Sequence, residues 1–580
     1  MPGRHDNSAF ATANLARRRL NVFAMPEKTT STSSTKLEDG LTSRSKYRIA
    51  IRRAAPPAVL ALLLTVFLTT GFIGLDFGYH WDEMFALEEV SRPIESGVFL
   101  PRSYNYGSMI FDIGSILLLP KTIPFLVRAA RESRPQYVQP YQELVPKSRA
   151  APLVAFATSM DFLLRMRGVF LVLTSLTGVW VFIAVRACKR SGWEAVFASA
   201  VILTSWEIAY HARWVAPDTI QMQFTALWLM FFALALHSST RASLWLRLSA
   251  VAAGLACGTK YQGGILLVPV ITYSLLGFST PTAPGAFRKA VKEILCNVTV
   301  FAGVFVISTP GIVFDPFLFW QSLRHVSHQY ATGHLGHTVG AVGQHGLLLF
   351  VYLTLVLMSH WRVASFMLAA LACLGVFILW KERPTITMLL LCAPVIYILV
   401  MICHRVMFAR NYLLLVPFIA LFAARGAFQV WNIPYPVVWI RRGIATCLIL
   451  LFLANMTFLA FAAWTITLHR RPTGAAIVQY LKKHPNTRYL LSSTAAEAVA
   501  KENVMLSNTT RDSNAAQRYV FYSDEHELWA KLSSNLPGQY QRVSGPLNVN
   551  FDYYADWQGS EKVLDVSIDR AREMHLLASR

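Results

Sequence analysis

Apolar runs recur along the chain from about residue 54 to about residue 467, with short polar stretches between them. A helix needs about 20 mostly apolar residues to cross a bilayer, and most of these runs approach that length. They occupy residues 54–75, 107–119, 167–187, 193–210, 216–237, 245–278, 291–310, 346–359, 362–380, 386–403, 408–426 and 440–467. One run is long enough for two short helices, so the pattern predicts roughly 12 to 13 transmembrane helices in all.

Two polar segments enclose the apolar region. Residues 1–53 are rich in Ser, Thr and Arg and have no apolar period, so we predict a disordered N-terminus, which its basic residues place in the cytoplasm. In the tail, residues 468–580, "GAAIVQYLKKH" has helical character and "RYLLSS" has strand character. We therefore expect an all-α polytopic membrane protein with a small C-terminal α/β domain. An odd number of spans makes that domain extracytoplasmic.

The composition agrees with a membrane protein. Of the 580 residues, 54% are hydrophobic and 15% are charged, whereas a soluble chain carries about a quarter charged residues. The net charge is +22, but the basic residues cluster beside apolar runs, as cytoplasmic anchors do, and no nucleic-acid module is recognisable. The seven cysteines form no CxxC pair, so neither a disulfide framework nor a thiolate zinc site is expected. Because the tail lacks cysteine and an ER-retention signal, we favour a bacterial inner membrane.

The first polar loop, residues 76–106, contains adjacent carboxylates in the stretch "GYHWDEMFALEEV". Ionisable groups at a membrane boundary are costly unless they are solvated or used. Asp82 or Glu83 could act as a general base toward an acceptor, or the pair could hold a divalent cation beside a phosphate. The alternative is structural, because acidic residues also cap the helix that follows them.

Three further segments place charge at the ends of apolar runs. Arg213 and Asp218 flank Pro217 before a long run, Lys260 lies among glycines in "GLACGTKYQGG", and Arg410 precedes another run. A lysine or an arginine at such a place can bind a lipid phosphate. Taken one at a time, these residues also fit a helix cap, a basic anchor or a side chain that reaches to the interface.

Two His-x-x-His pairs follow the run that ends near residue 310. They comprise His325, His328, His334 and His337, with no acidic residue among them. A zinc site is the alternative, but we interpret this loop as imidazoles and backbone amides that line a site for a polar headgroup, and we expect no metal there.

The number of crossings decides which loops share a face of the membrane. The run 107–119 is short and ends at Pro120. If it crosses, the basic segment 128–166 is cytoplasmic, and a strict count can place Arg213 and Asp218 on the cytoplasmic side, where Asp218 would be structural. If it does not cross, every later loop changes face.

The order of these segments resembles the GT-C superfamily, in its protein-mannosyltransferase-like branch, glycosyltransferase family 39, which includes aminoarabinose transferases. The Asp-Glu pair with the following "SGVFLPRSYNY", "RWVAPD", "GLACGTKYQGGILLVP", "TPGIVFDP" with "GHLGH", and "RNYLLLVPFIAL" are similar to the family's consecutive motifs. The similarity extends from about residue 54 to about residue 485. It is fairly specific for the superfamily and poorly specific for the substrate.

The resemblance implies an inverting transferase that takes a sugar from a polyprenyl or dolichyl phosphate and transfers it to an extracytoplasmic glycan, lipid or protein. Asp82 would be the base, with Glu83 beside it. The residues implied in binding phosphate or acceptor are Arg102, Tyr104, Tyr106, Arg213, Asp218, Lys260, Tyr261, His334, His337 and Arg410. Where aminoarabinose transferases have a Glu-Lys pair this chain has Tyr104-Asn105-Tyr106-Gly107, which argues against that particular activity.

Two other classes of function fit a polytopic membrane protein. A transporter or lipid flippase would use charge within the membrane and often shows paired halves, but no internal repeat is visible here. A non-catalytic scaffold gives no reason for the acidic first loop. A charge-neutral substitution of Asp82 separates these functions, because only a transferase requires that carboxylate.

Overall fold

The computed structural model describes residues 43–76, 83–96, 100–101, 103–132, 147–238, 240–278, 285–334, 337–433, 438–468, 473–500, 506–510, 512, 514–522, 541–544 and 563–573. The chain divides after Ala58 into two units. In the first unit, the described residues form the start of helix α1. The second unit contains all the contacts discussed below. Asp82, Arg102 and most of the predicted disordered segment 1–53 lie outside the described residues.

The described part of the apolar region is helical. Its helices are α1 (Ser43–Phe72), α2 (Glu83–Ser96), α3 (Met109–Glu132), α4 (Lys147–Ala157), α5 (Met160–Ala187), α6 (Gly192–Leu203), α7 (Trp206–His211), α8 (Pro217–His237), α9 (Ala242–Thr259), α10 (Leu267–Phe278), α11 (Ala286–Ser308), α12 (Gly311–Phe314), α13 (Pro316–Thr332), α14 (Gly343–Leu355), α15 (Arg362–Glu382), α16 (Pro384–Ile402), α17 (Val416–Asn432) and α18 (Val438–Leu468). Two 3₁₀ helices, Tyr261–Leu266 and Ala409–Leu415, precede α10 and α17.

Among the described residues, nine helices are long and apolar enough to cross a membrane, and three apolar helices are shorter. These helices confirm the prediction of a polytopic, all-α membrane region. The prediction of two short helices in the run 245–278 is also confirmed, because α9 ends at Thr259 and a 3₁₀ turn leads into α10. The predicted run 193–210 is instead divided into α6 and α7 at Thr204 and Ser205.

The two ends of helix α8 define the two faces of the bundle. Asp218 lies in its first turn and His237 is its last residue. A helix of 21 residues is about 30 Å long at 1.5 Å per residue. We call the end that carries Asp218 the site face and the end that carries His237 the basic face. Helix α5 runs in the same direction as α8, from Arg167 near the site face to Cys188 at the basic face.

The helices described between α1 and α5 pack together near the site face. Helices α2, α3 and α4 share one apolar cluster with the start of α5, in which Leu87 of α2, Leu153 of α4 and Phe162 of α5 are buried. Because α4 packs on α2, helix α3 does not carry the chain to the other face. Helix α4 and the start of α5 therefore lie beside the first loop, whereas the sequence predicted the first loop and residues 128–166 on opposite sides of the membrane.

A small α/β domain follows α18. It contains helices α19 (Thr473–Lys483), α20 (Ser493–Ala500) and α21 (Ile568–Glu573) and strands β1 (Tyr489–Leu491), β2 (Thr509–Thr510), β3 (Arg518–Tyr522), β4 (Gln541–Ser544) and β5 (Val563–Ser567). The strand order is β2-β1-β3-β5-β4, in which β1 pairs in parallel with β2 and β3, and β5 is antiparallel to β3 and β4. The predicted helix and strand at the start of the tail are both confirmed.

Candidate active site at the end of helix α8

Asp218 forms the centre of a buried charged cluster. Pro217 begins helix α8 and places Asp218 in its first turn, where a carboxylate interacts favourably with the helix dipole. Asp218 is 1% exposed, and its Oδ1 accepts a hydrogen bond from Nζ of Lys260 at 2.6 Å. The Nε atom of Arg410 is 3.6 Å from its Oδ2. Asp218 therefore interacts with both cations.

Lys260 owes its position to the break between α9 and the following 3₁₀ helix. It is the C-cap residue of α9, and its backbone N–H donates to the carbonyl of Ala256 at 3.0 Å. Its ammonium group also donates to Oδ1 of Asn411 at 2.7 Å, and its carbonyl accepts from Gln221 at 3.2 Å. The lysine is thus held by three neighbouring elements rather than extended to the interface.

The 3₁₀ helix before α17 supplies the second cation. Its guanidinium, on Arg410, lies over the rings of Trp214 and Phe408, 5.3 Å and 5.1 Å from their centroids. Asn411 donates to the hydroxyl of Tyr330 at 3.0 Å, and its carbonyl accepts from Tyr397 at 2.6 Å. Aromatic faces stabilise a guanidinium without neutralising its charge.

Three tyrosines form a wall beside this cluster. The hydroxyl of Tyr261 donates to the carbonyls of Tyr104 and Tyr106 at 2.6 Å and 3.1 Å. The ring of Tyr106 lies 5.4 Å from the ammonium of Lys260. Burial raises the pKa of Tyr104 to about 12, with smaller contributions from nearby carboxylates, so its hydroxyl stays protonated at neutral pH. The wall thus joins the first loop to the Asp218 cluster.

Glycines permit this close packing. A Cβ atom on Gly107 would lie 1.9 Å from the carbonyl oxygen of Gly258, and one on Gly311 would lie 2.0 Å from the ring of Tyr104. The backbone of the first loop therefore touches α9 directly, and the ring of Tyr104 touches α12.

An open cleft of about 90 Å³ lies on the other side of the tyrosine wall. Its lining consists of Phe85, Ala86, Glu89, Pro101, Ser103, Tyr106, Gly107, Ser108, Ile110, Phe111, Val215 and Pro217. Tyr106 and Pro217 are the residues through which the cleft borders the Asp218 cluster. A group bound in this mostly apolar cleft would contact Tyr106, whose ring lies 5.4 Å from the ammonium of Lys260.

Glu83 anchors the first loop. Its carboxylate accepts two hydrogen bonds from Arg167, one of 2.8 Å from Nε, and both side chains are fully buried. It also accepts from the backbone N–H of Val215 at 2.9 Å. Both carboxylate oxygens thus have donors. This contact places the first loop and the loop before Asp218 on one face, so the strict count that separates them is wrong.

Arg213 does not join the cluster. Its guanidinium donates to the carbonyl of Thr70 at 2.7 Å and to that of Ile73 at 3.4 Å, and the residue is 1% exposed. These carbonyls belong to the last turn of α1, which has no further helical donors. In the described contacts, Arg213 therefore caps the end of α1.

His334 and His337 contact the cluster indirectly. Their rings lie 5.2 Å and 4.4 Å from the ring of Phe408, which in turn flanks Arg410. The carbonyl of His337 also accepts from the N–H of Met407 at 3.0 Å. Among the described residues, no group of three or more His, Cys, Asp or Glu side chains could hold a metal ion. The two histidines support the segment that carries Arg410.

The structure places Asp218, Lys260 and Arg410 in one cluster beside the tyrosine wall. It adds Asn411 and Tyr330 to the residues that the sequence indicated. Asn411 directly follows Arg410 in "RNYLLL". An amide side chain in an apolar run does not indicate which residue it will bind, so nothing in the sequence was a reason to include Asn411 in the site. Arg167 lies in the apolar run of α5, where only its burial against Glu83 identifies it. Asp82 and Arg102 lie outside the described residues.

No protein-family model and no curated protein sequence matches the chain. The fold is similar to the crystal structure of ArnT from Cupriavidus metallidurans bound to undecaprenyl phosphate, with 14% identity and a TM-score of 0.46 over 87% of this chain and 97% of that chain. It is also similar to the oligosaccharyltransferase AglB from Archaeoglobus fulgidus in complex with an inhibitory peptide and a dolichol-phosphate, with 12% identity and a TM-score of 0.41 over 80% of this chain and 69% of that chain.

At these identities and TM-scores, the likeness assigns neither a substrate nor a residue role to this chain. It is a likeness of helical fold alone.

Proposed function

We propose that the protein is a membrane glycosyltransferase that moves a sugar from a polyprenyl or dolichyl phosphate to an acceptor glycan, lipid or protein at the site face. The observation that carries this proposal is the pairing of two buried cations, Lys260 and Arg410, with a single carboxylate, Asp218. Both cations are buried at one end of helix α8, where lysine and arginine side chains are suited to bind a lipid phosphate.

The proposed reaction is a single displacement. The acceptor hydroxyl oxygen attacks the anomeric carbon, the bond from that carbon to the phosphate oxygen breaks, and the electron pair leaves with the phosphate. Lys260 and Arg410 stabilise the charge that builds on the leaving phosphate, and Asp218 orients both cations. The proton of the acceptor goes to a carboxylate base, and the attack from the opposite side inverts the anomeric centre.

We assign the base to Asp82 and a positioning role to Glu83. Both oxygens of Glu83 already accept hydrogen bonds from Arg167 or Val215, so this carboxylate is poorly available for proton transfer. Asp82 is its neighbour in the chain, and consecutive Cα atoms are about 3.8 Å apart. Val215 precedes Asp218 by three residues, so the contact of Glu83 with Val215 connects the start of α2 to the loop before the cation cluster.

The rest of the proposal concerns the surroundings of the site. Tyr104 and Tyr106 would border the lipid-linked sugar. Arg102, His334 and His337 would lie around the headgroup. We place the protein in a bacterial inner membrane, with the site face and the C-terminal domain outside the cytoplasm. A divalent cation bound with the phosphate is compatible with this reaction but is not required by it.

The test compares strains of the source organism: a deletion, and the deletion complemented with wild type, Asp82→Asn or Glu88→Gln. Glu88 is the matched control, because it lies near Asp82 on α2 with an exposed side chain. Mass spectrometry of envelope lipids, polysaccharides and proteins should show a sugar that is lost in the deletion and in Asp82→Asn and is restored by the other two. If Asp82→Asn restores that sugar at equal protein level, the assignment of the base is wrong. If the deletion changes no glycan or glycolipid, the transferase itself is refuted.

A further inference from the structure

A second charged pocket lies at the basic face, far from the Asp218 cluster. It is formed where α5, α8 and α15 end, where α6 and α16 begin, and against α17. Arg190, Arg383 and Arg425 line it together with Glu194 and His237. Its volume is about 30 Å³, whereas one water-sized group needs about 10–15 Å³. The pocket therefore admits the oxygen atoms of a phosphate group but not a sugar ring.

The hydrogen bonds of His237 show that it adds no charge. Its Nε2 faces Nη1 of Arg383 at 3.0 Å, and its Nδ1 faces the carbonyl of Ala233 at 3.0 Å. A guanidinium can only donate and a carbonyl can only accept, so Nε2 accepts and Nδ1 donates. This is the neutral imidazole.

Positive charge is in excess in this pocket. The carboxylate of Glu382 pairs with Arg190 at 2.8 Å and also with Arg425. With Glu194 the described residues supply two carboxylates against three arginines, the third being Arg383. One positive charge is left over, which an anion would balance.

Arg425 has an unused donor at this place. The residue is 8% exposed, and its Nε has no hydrogen-bond partner among the residues that the structure describes. A buried charged donor without an acceptor is costly, so an acceptor is expected beside it. Phosphate oxygens match a guanidinium both in charge and in geometry.

The surroundings of the pocket suit a lipid. Trp193 and Trp380 are 49% and 50% exposed and lie one and three residues away in sequence from Glu194 and Arg383. Exposed tryptophans at helix ends are typical of the bilayer interface, at the depth of the headgroups. The inner wall is apolar, with Leu379 and Leu421 among its residues. An acyl chain could therefore extend along the bundle while the phosphate contacts the arginines.

We propose that this pocket binds the phosphate of an anionic phospholipid headgroup, in the leaflet at the basic face. Basic pockets between transmembrane helices are known sites for such headgroups. The bound phosphate would connect the end of α5 and the start of α16 to Arg425 of α17, and so stabilise the bundle about 30 Å from the reaction at the other end of α8. The site is independent of the transferase reaction proposed above.

The experiment measures the thermal midpoint of the full-length purified protein in nanodiscs. One set contains phosphatidylcholine alone, another contains added phosphatidylglycerol, and a third contains phosphatidylcholine with inorganic phosphate in the buffer. The variants are Arg383→Gln and Arg383→Lys. The matched control is Arg288→Gln, which removes an exposed charge at the start of α11, outside the pocket.

Phosphatidylglycerol should raise the midpoint of wild type and of Arg288→Gln equally. The increase should fall by at least half in Arg383→Gln and recover largely in Arg383→Lys, which keeps the charge. An equal increase in Arg383→Gln overturns the proposal, because the lipid then acts elsewhere. Stabilisation by inorganic phosphate without any by phosphatidylglycerol also overturns it, since the pocket would then take a free anion.

Discussion

The buried pair of Glu83 and Arg167 gives the sharpest test of how the first loop is held. Glu83→Gln keeps the shape of the side chain and its contact with the N–H of Val215 but removes the charge. Arg167, which is fully buried, then keeps a charge without its partner. Breaking a buried ion pair in this way costs about 3–5 kcal/mol.

The expected change in the thermal midpoint follows from the size of the chain. Unfolding entropy is about 2.1 cal/mol/K per residue, so 1 kcal/mol corresponds to about 1 °C for 580 residues that unfold together. We therefore expect Glu83→Gln to lower the midpoint by about 2–4 °C. Glu88→Gln, which breaks only an exposed pair with Arg92, should change it by less than about 1 °C.

A double variant separates a structural from a catalytic role of Glu83. Glu83→Gln combined with Arg167→Met removes both buried charges and should recover most of the lost stability. The remaining loss is about 1 kcal/mol, from the bond of Arg167 to the carbonyl of Leu75. Transfer activity should recover in parallel with stability. The reasoning is refuted if the single variant is as stable as wild type, or if the double variant regains its stability and stays inactive.

Three further predictions concern the Asp218 cluster and the tyrosine wall. Lys260→Met should weaken binding of undecaprenyl phosphate by about 10- to 100-fold, since a charged hydrogen bond contributes about 1.5–3 kcal/mol. Native mass spectrometry measures this binding, with Lys292→Met as the control. Gly311→Ala should lower stability by about 1–3 kcal/mol, because the added methyl group would overlap the ring of Tyr104, and Gly303→Ala, which meets no atom within 4 Å, should not. Tyr261→Phe removes the donor to two carbonyls of the first loop and should reduce transfer several-fold with little change in the thermal midpoint; unchanged transfer would contradict a role in positioning that loop.

The sequence predicted the bounds of the helices in the membrane domain better than it predicted the end of the bundle at which each connecting segment lies. Runs such as 216–237 became α8 almost unchanged, because a span must satisfy its backbone internally and therefore shows its length in the sequence. Helix α3 is where the predicted sequence of membrane crossings differs from the structure. It contains 24 residues, enough to cross, yet it packs beside α2 at the site face. The length and hydropathy of a helix do not indicate which neighbouring helices it packs against.

The candidate site shows the same division. Asp218, Lys260 and Arg410 were recognisable because charge beside an apolar run is costly without a use. Their mutual contacts were not, since 192 positions separate Asp218 from Arg410 and only the folded chain joins them. Arg213 and Glu83 had the same appearance in sequence, but the structure places them against backbone carbonyls and Arg167. Charge alone does not distinguish a ligand from an anchor.

The position of the charged cluster along the helices bears on the choice between a transferase and a transporter. A transporter that carries a charged substrate needs ionisable groups near the middle of the bilayer, commonly at broken helices. Asp218 instead lies in the first turn of α8, and Lys260 follows the last residue of α9. A group bound by them would lie at the helix ends, and the polyprenyl tail of the proposed donor would extend from there into the lipid. Such a site suits a reaction between a lipid-linked donor and an acceptor outside the bilayer. The donor approaches the site from the lipid, and the acceptor approaches it from the aqueous side.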